Sequence, residues 1–137
     1  MKIITSITNN RSPKVIFKDA MNKMTNLYNP IKTAGSNGET AFSVSESMPG
    51  ACPSASLSLP AFVNPLTCEF NFDLFNKAVI TLVRALNKIL DRSNYAPKSA
   101  AANASTQRPI AINVQGMADL TYLMEMPFDS KENLMFN

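Results

Sequence analysis

The groups with chemistry to offer are two thiols, ten carboxylates and thirteen cations, because histidine is absent. Without histidine there is no Ser-His-Asp or Cys-His nucleophile pair and no imidazole base. The usual zinc and copper ligand set is missing as well. Cys52 and Cys68, with 15 residues between them and no further soft ligand, make a poor metal site. A disulfide between them would contribute about 3 kcal/mol in the chain-entropy model. Met1–Thr8, MKIITSIT, is too short and polar for a secretory core, and no small-residue cleavage site follows. The reading is therefore a reducing compartment with two free thiols, which makes the sequons at Asn10 and Asn103 incidental. Among the carboxylates only Glu69 and Asp73 flank a junction where a cleft could form; solvated capping residues are the commoner outcome. Ala34–Gly38 lacks the lysine and following helix of a phosphate-cradling loop. No catalytic, cofactor-binding or metal residue is assigned.

Two further groups point to binding rather than catalysis. Lys14, Lys18 and Lys32, near Tyr28, form a thin basic and aromatic set that would serve single-stranded nucleic acid, although Phe17 and Tyr28 fit a helix's apolar face better. Met117, Met124, Met126 and Met135 cluster near the end of the chain, where adaptable thioethers would suit an interface as well as core filling. The stripe Lys77, Arg84 and Lys88 resembles that of a membrane-surface helix, but it is sparse and tryptophan is absent, so burial of the opposite face is the better reading.

These residues must be carried by one domain over residues 1–137, with 45% hydrophobic residues. Only 17% of residues are charged and the net charge is +3. Neutral polar surface repels neighbours weakly and favours association. The first fifty residues hold six cations against three acids, yet there is no basic run of the kind a nucleic-acid tail shows. No apolar window of about 18 residues would span a membrane.

The clearest element is an amphipathic helix over about 71–92. Phe75, Val79, Leu82, Leu86 and Ile89 recur at helical spacing, with Asn71 or Asp73 as cap. Ser12-Pro13 and the series Phe17, Met21, Met24, Tyr28 predict a shorter helix over about 13–28, with a strand through Val15–Phe17 as rival. Strands are expected at Lys2–Thr8 and Thr40–Ser47, the latter after an Asn37-Gly38 turn. Ser54–Leu59 and Leu66–Phe72 alternate cleanly and predict an antiparallel pair. Residues 93–109, small, polar and bounded by proline, read as a mobile or extended connector. A second hairpin is expected from Ile110–Val114 and Leu120–Met126, with a short helix after Asp129.

The expectation is an α+β fold: an antiparallel sheet of about four to six strands packed on the long helix and the N-terminal one. By elimination the function is non-enzymatic, a structural or interaction protein such as a small viral or phage assembly subunit. Single-stranded nucleic-acid binding is the alternative, and a carboxylate hydrolase the third reading. A protein partner or self-association follows, with a cytoplasmic or virion-associated location and neither signal peptide nor membrane segment.

Overall fold

The structure, a computed structural model, describes residues 2–25, 29–35, 38 and 40–136. Two compact units are traced along the chain: residues 1–51 with 94–109, and residues 52–93 with 110–137.

The first unit opens with helix α1, Lys2–Asn10, where a strand is expected. Among the described residues no strand pairs with this segment, whereas Ile3 and Ile7 fall on one helical face and the Thr8 hydroxyl donates to the Ile4 carbonyl at 3.0 Å. Helix α2 is Lys18–Met24, shorter than the predicted 13–28. Phe17 is extended (φ −94°, ψ 91°), in keeping with the β-branched pair Val15-Ile16 before it. Tyr28 lies outside the described residues. Asn22 ties α2 to the next segment: its Oδ1 accepts from the Ile31 amide at 2.7 Å and its Nδ2 donates to the Ile31 carbonyl at 3.0 Å. Strands β1, Thr33–Ala34, and β2, Ala41–Phe42, then pair antiparallel, so the strand expected over 40–47 shrinks to two residues. Asn37 of the predicted turn is outside the described residues; Gly38 has φ +76°.

The second unit begins with strand β3, Ser54–Ser58, and a 3-10 turn at Leu59–Phe62. Strands β4, Val63–Asn64, and β5, Glu69–Phe70, form a short antiparallel hairpin. Helix α3, Phe72–Arg92, follows where the apolar period puts it. The Asn71 side chain caps it, accepting from the Leu74 amide at 2.9 Å. Leu86 and Leu90 are its buried residues, while Ile89 stays exposed, so the buried seam is rotated toward Leu90. Phe62, Phe70 and Phe75 pack edge-on or tilted at 5.2–6.0 Å, and Phe136 joins Phe70 at 5.2 Å.

The stretch expected as a connector contains helix α4, Lys98–Gln107, which belongs to the first unit. Its alanines give it high helix propensity without an apolar period. Ala100, Asn103 and Ala104 are buried, and the Asn103 amide donates to the carbonyls of Met48 and Pro49 at 3.1 and 3.0 Å.

The second unit resumes with a sixth strand, β6, Ala111–Gln115. It pairs with β3 in parallel, Ser54 beside Ala111 through Ser58 beside Gln115. Helix α5, Met117–Leu123, replaces the second arm of the predicted hairpin, and α6, Lys131–Phe136, follows it. Leu120 of α5 is fully buried, and α5 packs on the 3-10 turn. Gly116 makes this approach possible: it has φ +80°, and a Cβ there would sit 2.7 Å from Pro60 Cδ.

The antiparallel sheet of four to six strands is therefore corrected. Among the described residues there are six helices and three two-stranded pairs, and the longest pair is parallel. Period-2 alternation places residues on faces but carries no information on a strand's partner or direction. Parallel strands need a long crossover, and here it contains two helices.

Candidate functional site

The β3–β6 pair has two chemically distinct faces. Registered neighbours share a face, so Ala55, Leu57, Ile112 and Val114 form an apolar side, with α3 packed on β3. Ser54, Ser56, Ser58, Asn113 and Gln115 form the other side, with Ala111. The three serines are exposed and Asn113 is half-buried. Parallel sheets are ordinarily apolar on both faces because helices cover both. A polar face on such a pair is a surface of hydroxyls and amides that hydrogen-bonds solvent or a ligand.

Cys52 stands at the head of this surface. The Ala111 amide donates to the Pro53 carbonyl at 3.0 Å, the bond that opens the pairing of Ser54 with Ala111. Cys52 lies two residues ahead of Ser54, the spacing at which the serines themselves recur. Its thiol is half-buried, donates to the Pro53 carbonyl at 3.7 Å, and is pushed above the usual cysteine range by burial. The neutral thiol is thereby favoured over the thiolate. Cys68 occupies the β4–β5 turn at φ +55°, and both cysteines are free.

Glu69 and Asp73 line one hollow of about 390 Å³ together with Asn64, Thr67 and the rings of Phe70 and Phe72. Both acids are exposed, so their charges are solvated. The amides beside them are committed to backbone: Asn64 Oδ1 accepts from the Leu66 amide at 3.0 Å and Asn71 caps α3. No group of three or more His, Cys, Asp or Glu capable of holding a metal occurs among the described residues.

Lys14, Lys18 and Lys32 are all exposed in the first unit, Lys18 as the first residue of α2. Met117, Met124 and Met126 are half-buried in and after α5, while Met135 on α6 is almost fully exposed.

Sequence comparison decides what kind of protein presents this arrangement. The family described as "Ribonucleotide reductase, barrel domain" matches residues 1–137. The chain belongs to the ribonucleotide reductase barrel-domain family. It is 34% identical over 142 residues to "Ribonucleoside-diphosphate reductase large chain 2" of Saccharomyces cerevisiae, covering 98% of this chain and 16% of that protein. It is 37% identical over 139 residues to the large subunit of Danio rerio, covering 98% and 17%. The corresponding subunit of Variola virus is 36% identical over 132 residues, covering 95% and 17%. The chain thus spans about one sixth of the length of these curated relatives.

Membership overturns the non-enzymatic reading. The relatives are named as reductases, the Variola virus protein included, so neither a structural or interaction role nor a viral or phage assembly subunit stands. Single-stranded nucleic-acid binding through Lys14, Lys18 and Lys32 falls with them. Elimination failed because it treated 137 residues as a whole site, whereas these relatives are about six times longer. No described helix is long and apolar enough to cross a membrane. Sequence reasoning also missed Cys52 as the head of a polar strand face. Its signal was present: two short strands separated by helical sequence form the pattern of a parallel crossover unit.

Proposed function

We propose that this chain forms part of the barrel of a ribonucleoside-diphosphate reductase large chain, in which Cys52 is a thiol that supplies reducing equivalents. The position of Cys52, two residues ahead of the serine-lined face of the parallel β3–β6 pair, carries the assignment. Reduction requires an electron donor, and among protein side chains the thiol is the reversible one. Two thiols that join as a disulfide release two electrons and two protons, the equivalents a two-electron reduction consumes. An ordinary cysteine is mostly protonated near neutral pH, and burial favours that form further at Cys52, so it holds the proton that such a step needs. The relatives are named "large" chains or subunits, which favours a multi-chain assembly over a lone chain. Free Cys52 and Cys68 suit a reducing cytoplasm; virion association has no support.

The test is a chimera: the Saccharomyces large chain 2 with its matched segment replaced by this chain, assayed for turnover of a ribonucleoside diphosphate. Cys52→Ser should abolish turnover in a chimera that still folds. Unchanged turnover in Cys52→Ser, or a folded parent chimera with no turnover, would contradict the assignment.

A further inference from the structure

Asn103 on α4 is 2% exposed, and its Nδ2 is committed to the carbonyls of Met48 and Pro49 at 3.1 and 3.0 Å. Carbonyls only accept, which fixes the nitrogen toward them and the oxygen away. That oxygen, Oδ1, has no hydrogen-bond partner among the described residues. A buried acceptor left bare is costly, so it calls for an occupant that donates. Asn103 lines a hollow of about 180 Å³ within the first unit. At about 30 Å³ per water the hollow equals about six waters, below the volume of a drug-sized site, which suits a small metabolite. Pro30, Val44 and Met48 give it an apolar wall, and the exposed Lys32 brings one cation. None of the described lining residues is acidic. Gln107 also lines it, one turn beyond Asn103 at the end of α4, where the helix carbonyls favour a donor over an anion.

We propose that this hollow binds a small hydroxycarboxylate, its hydroxyl donating to Asn103 Oδ1 and its carboxylate facing Lys32. Three observations select that class. The donor is neutral, because an ammonium buried with no acid beside it keeps its full desolvation cost. The anionic end belongs at Lys32, the one described cation of the lining, where solvent still reaches the charge. The apolar wall suits a short hydrocarbon chain on the same molecule. The site uses no residue of the β3–β6 pair, so it stands whether or not Cys52 supplies electrons.

The test is a nuclear magnetic resonance titration of the isotopically labelled full chain with 2-hydroxyisovalerate, read at the Asn103 side-chain amide and the Val44 backbone amide. Both should shift with one Kd of about 1 mM or tighter. Isovalerate, which lacks only the hydroxyl, should bind at least about tenfold more weakly, since Oδ1 is left bare again. Valine, with an ammonium in place of the hydroxyl, should bind no better than isovalerate. Lys32→Gln should weaken binding about two- to fivefold and remove its salt dependence. Val44→Phe should fill the hollow and abolish binding while amide exchange in α4 stays unchanged. Isovalerate binding as tightly as the hydroxy acid, or no saturable shift up to about 50 mM, overturns the proposal. Valine binding more tightly than the hydroxy acid overturns it in favour of an amino acid. A water held at Asn103, seen as a nuclear Overhauser contact with its side-chain amide and undisturbed by the acid, overturns it in favour of solvent.

Discussion

Replacing Gly116 by alanine tests the packing that joins β6 to α5. Gly116 has φ +80°, a conformation that costs an L-residue about 1–2 kcal/mol. The new Cβ would also lie 2.7 Å from Pro60 Cδ and 3.0 Å from Pro60 Cγ. Relieving that contact requires the 3-10 turn or α5 to shift, an overpacking cost of about 1–3 kcal/mol. The sum is about 2–5 kcal/mol, or a fall in Tm of about 8–20 °C at about 4 °C per kcal/mol for a chain of this size. Urea unfolding of Gly116→Ala measures it, with an unchanged m-value showing that only stability moved. Repeating the substitution in a Pro60→Ala background removes the ring atoms. There it should cost only the backbone part, leaving a coupling of about 1–3 kcal/mol. A Gly116→Ala protein within about 0.5 kcal/mol of wild type, or an equal loss in both backgrounds, would refute the reasoning.

Leu120→Ala, at a fully buried position, should cost about 2–5 kcal/mol in the same urea assay; a loss under about 1 kcal/mol would show that α5 does not seat there. Asn71→Ala removes the cap of α3 and should cost about 1 kcal/mol, most of it recovered by Asn71→Ser. Because burial raises the Cys52 pKa, the folded chain keeps its proton after the unfolded chain has begun to lose one near pH about 8.5. Its contribution to stability is therefore fully present below that pH and lost as pH rises through the folded pKa. Cys52→Ala should flatten this alkaline decline in a Tm-against-pH series, and an unchanged slope would assign the decline to other groups.

What was legible in the sequence followed from local chemistry. Phe75, Val79, Leu82 and Leu86 locate α3 because a 3.6-residue period has no competing reading over twenty residues. Its cap was narrowed to Asn71 or Asp73 by residue type, and the hydrogen bond from the Leu74 amide selects Asn71. Partners were not legible. Ser54–Ser58 alternates equally well beside Glu69–Phe70 or Ala111–Gln115, and only the tertiary fold selects the latter in parallel. Leu120 and Met124 are compatible with both a period of two and a helical turn; burial of Leu120 beneath the Gly116 turn favours the helix. Lys98–Gln107 lacks an apolar stripe because its buried side consists of small residues and Asn103, whose amide bonds two carbonyls some fifty-five positions earlier. The chemistry at Cys52 was hidden by the same limit, since its setting is created by β6.

Cross-strand nuclear Overhauser contacts in the isotopically labelled chain test the parallel β3–β6 unit most directly. The account predicts Ser54 beside Ala111, Ser56 beside Asn113 and Ser58 beside Gln115. Contacts of Ser54 with Gln115 and of Ser58 with Ala111 would make the pair antiparallel and contradict it.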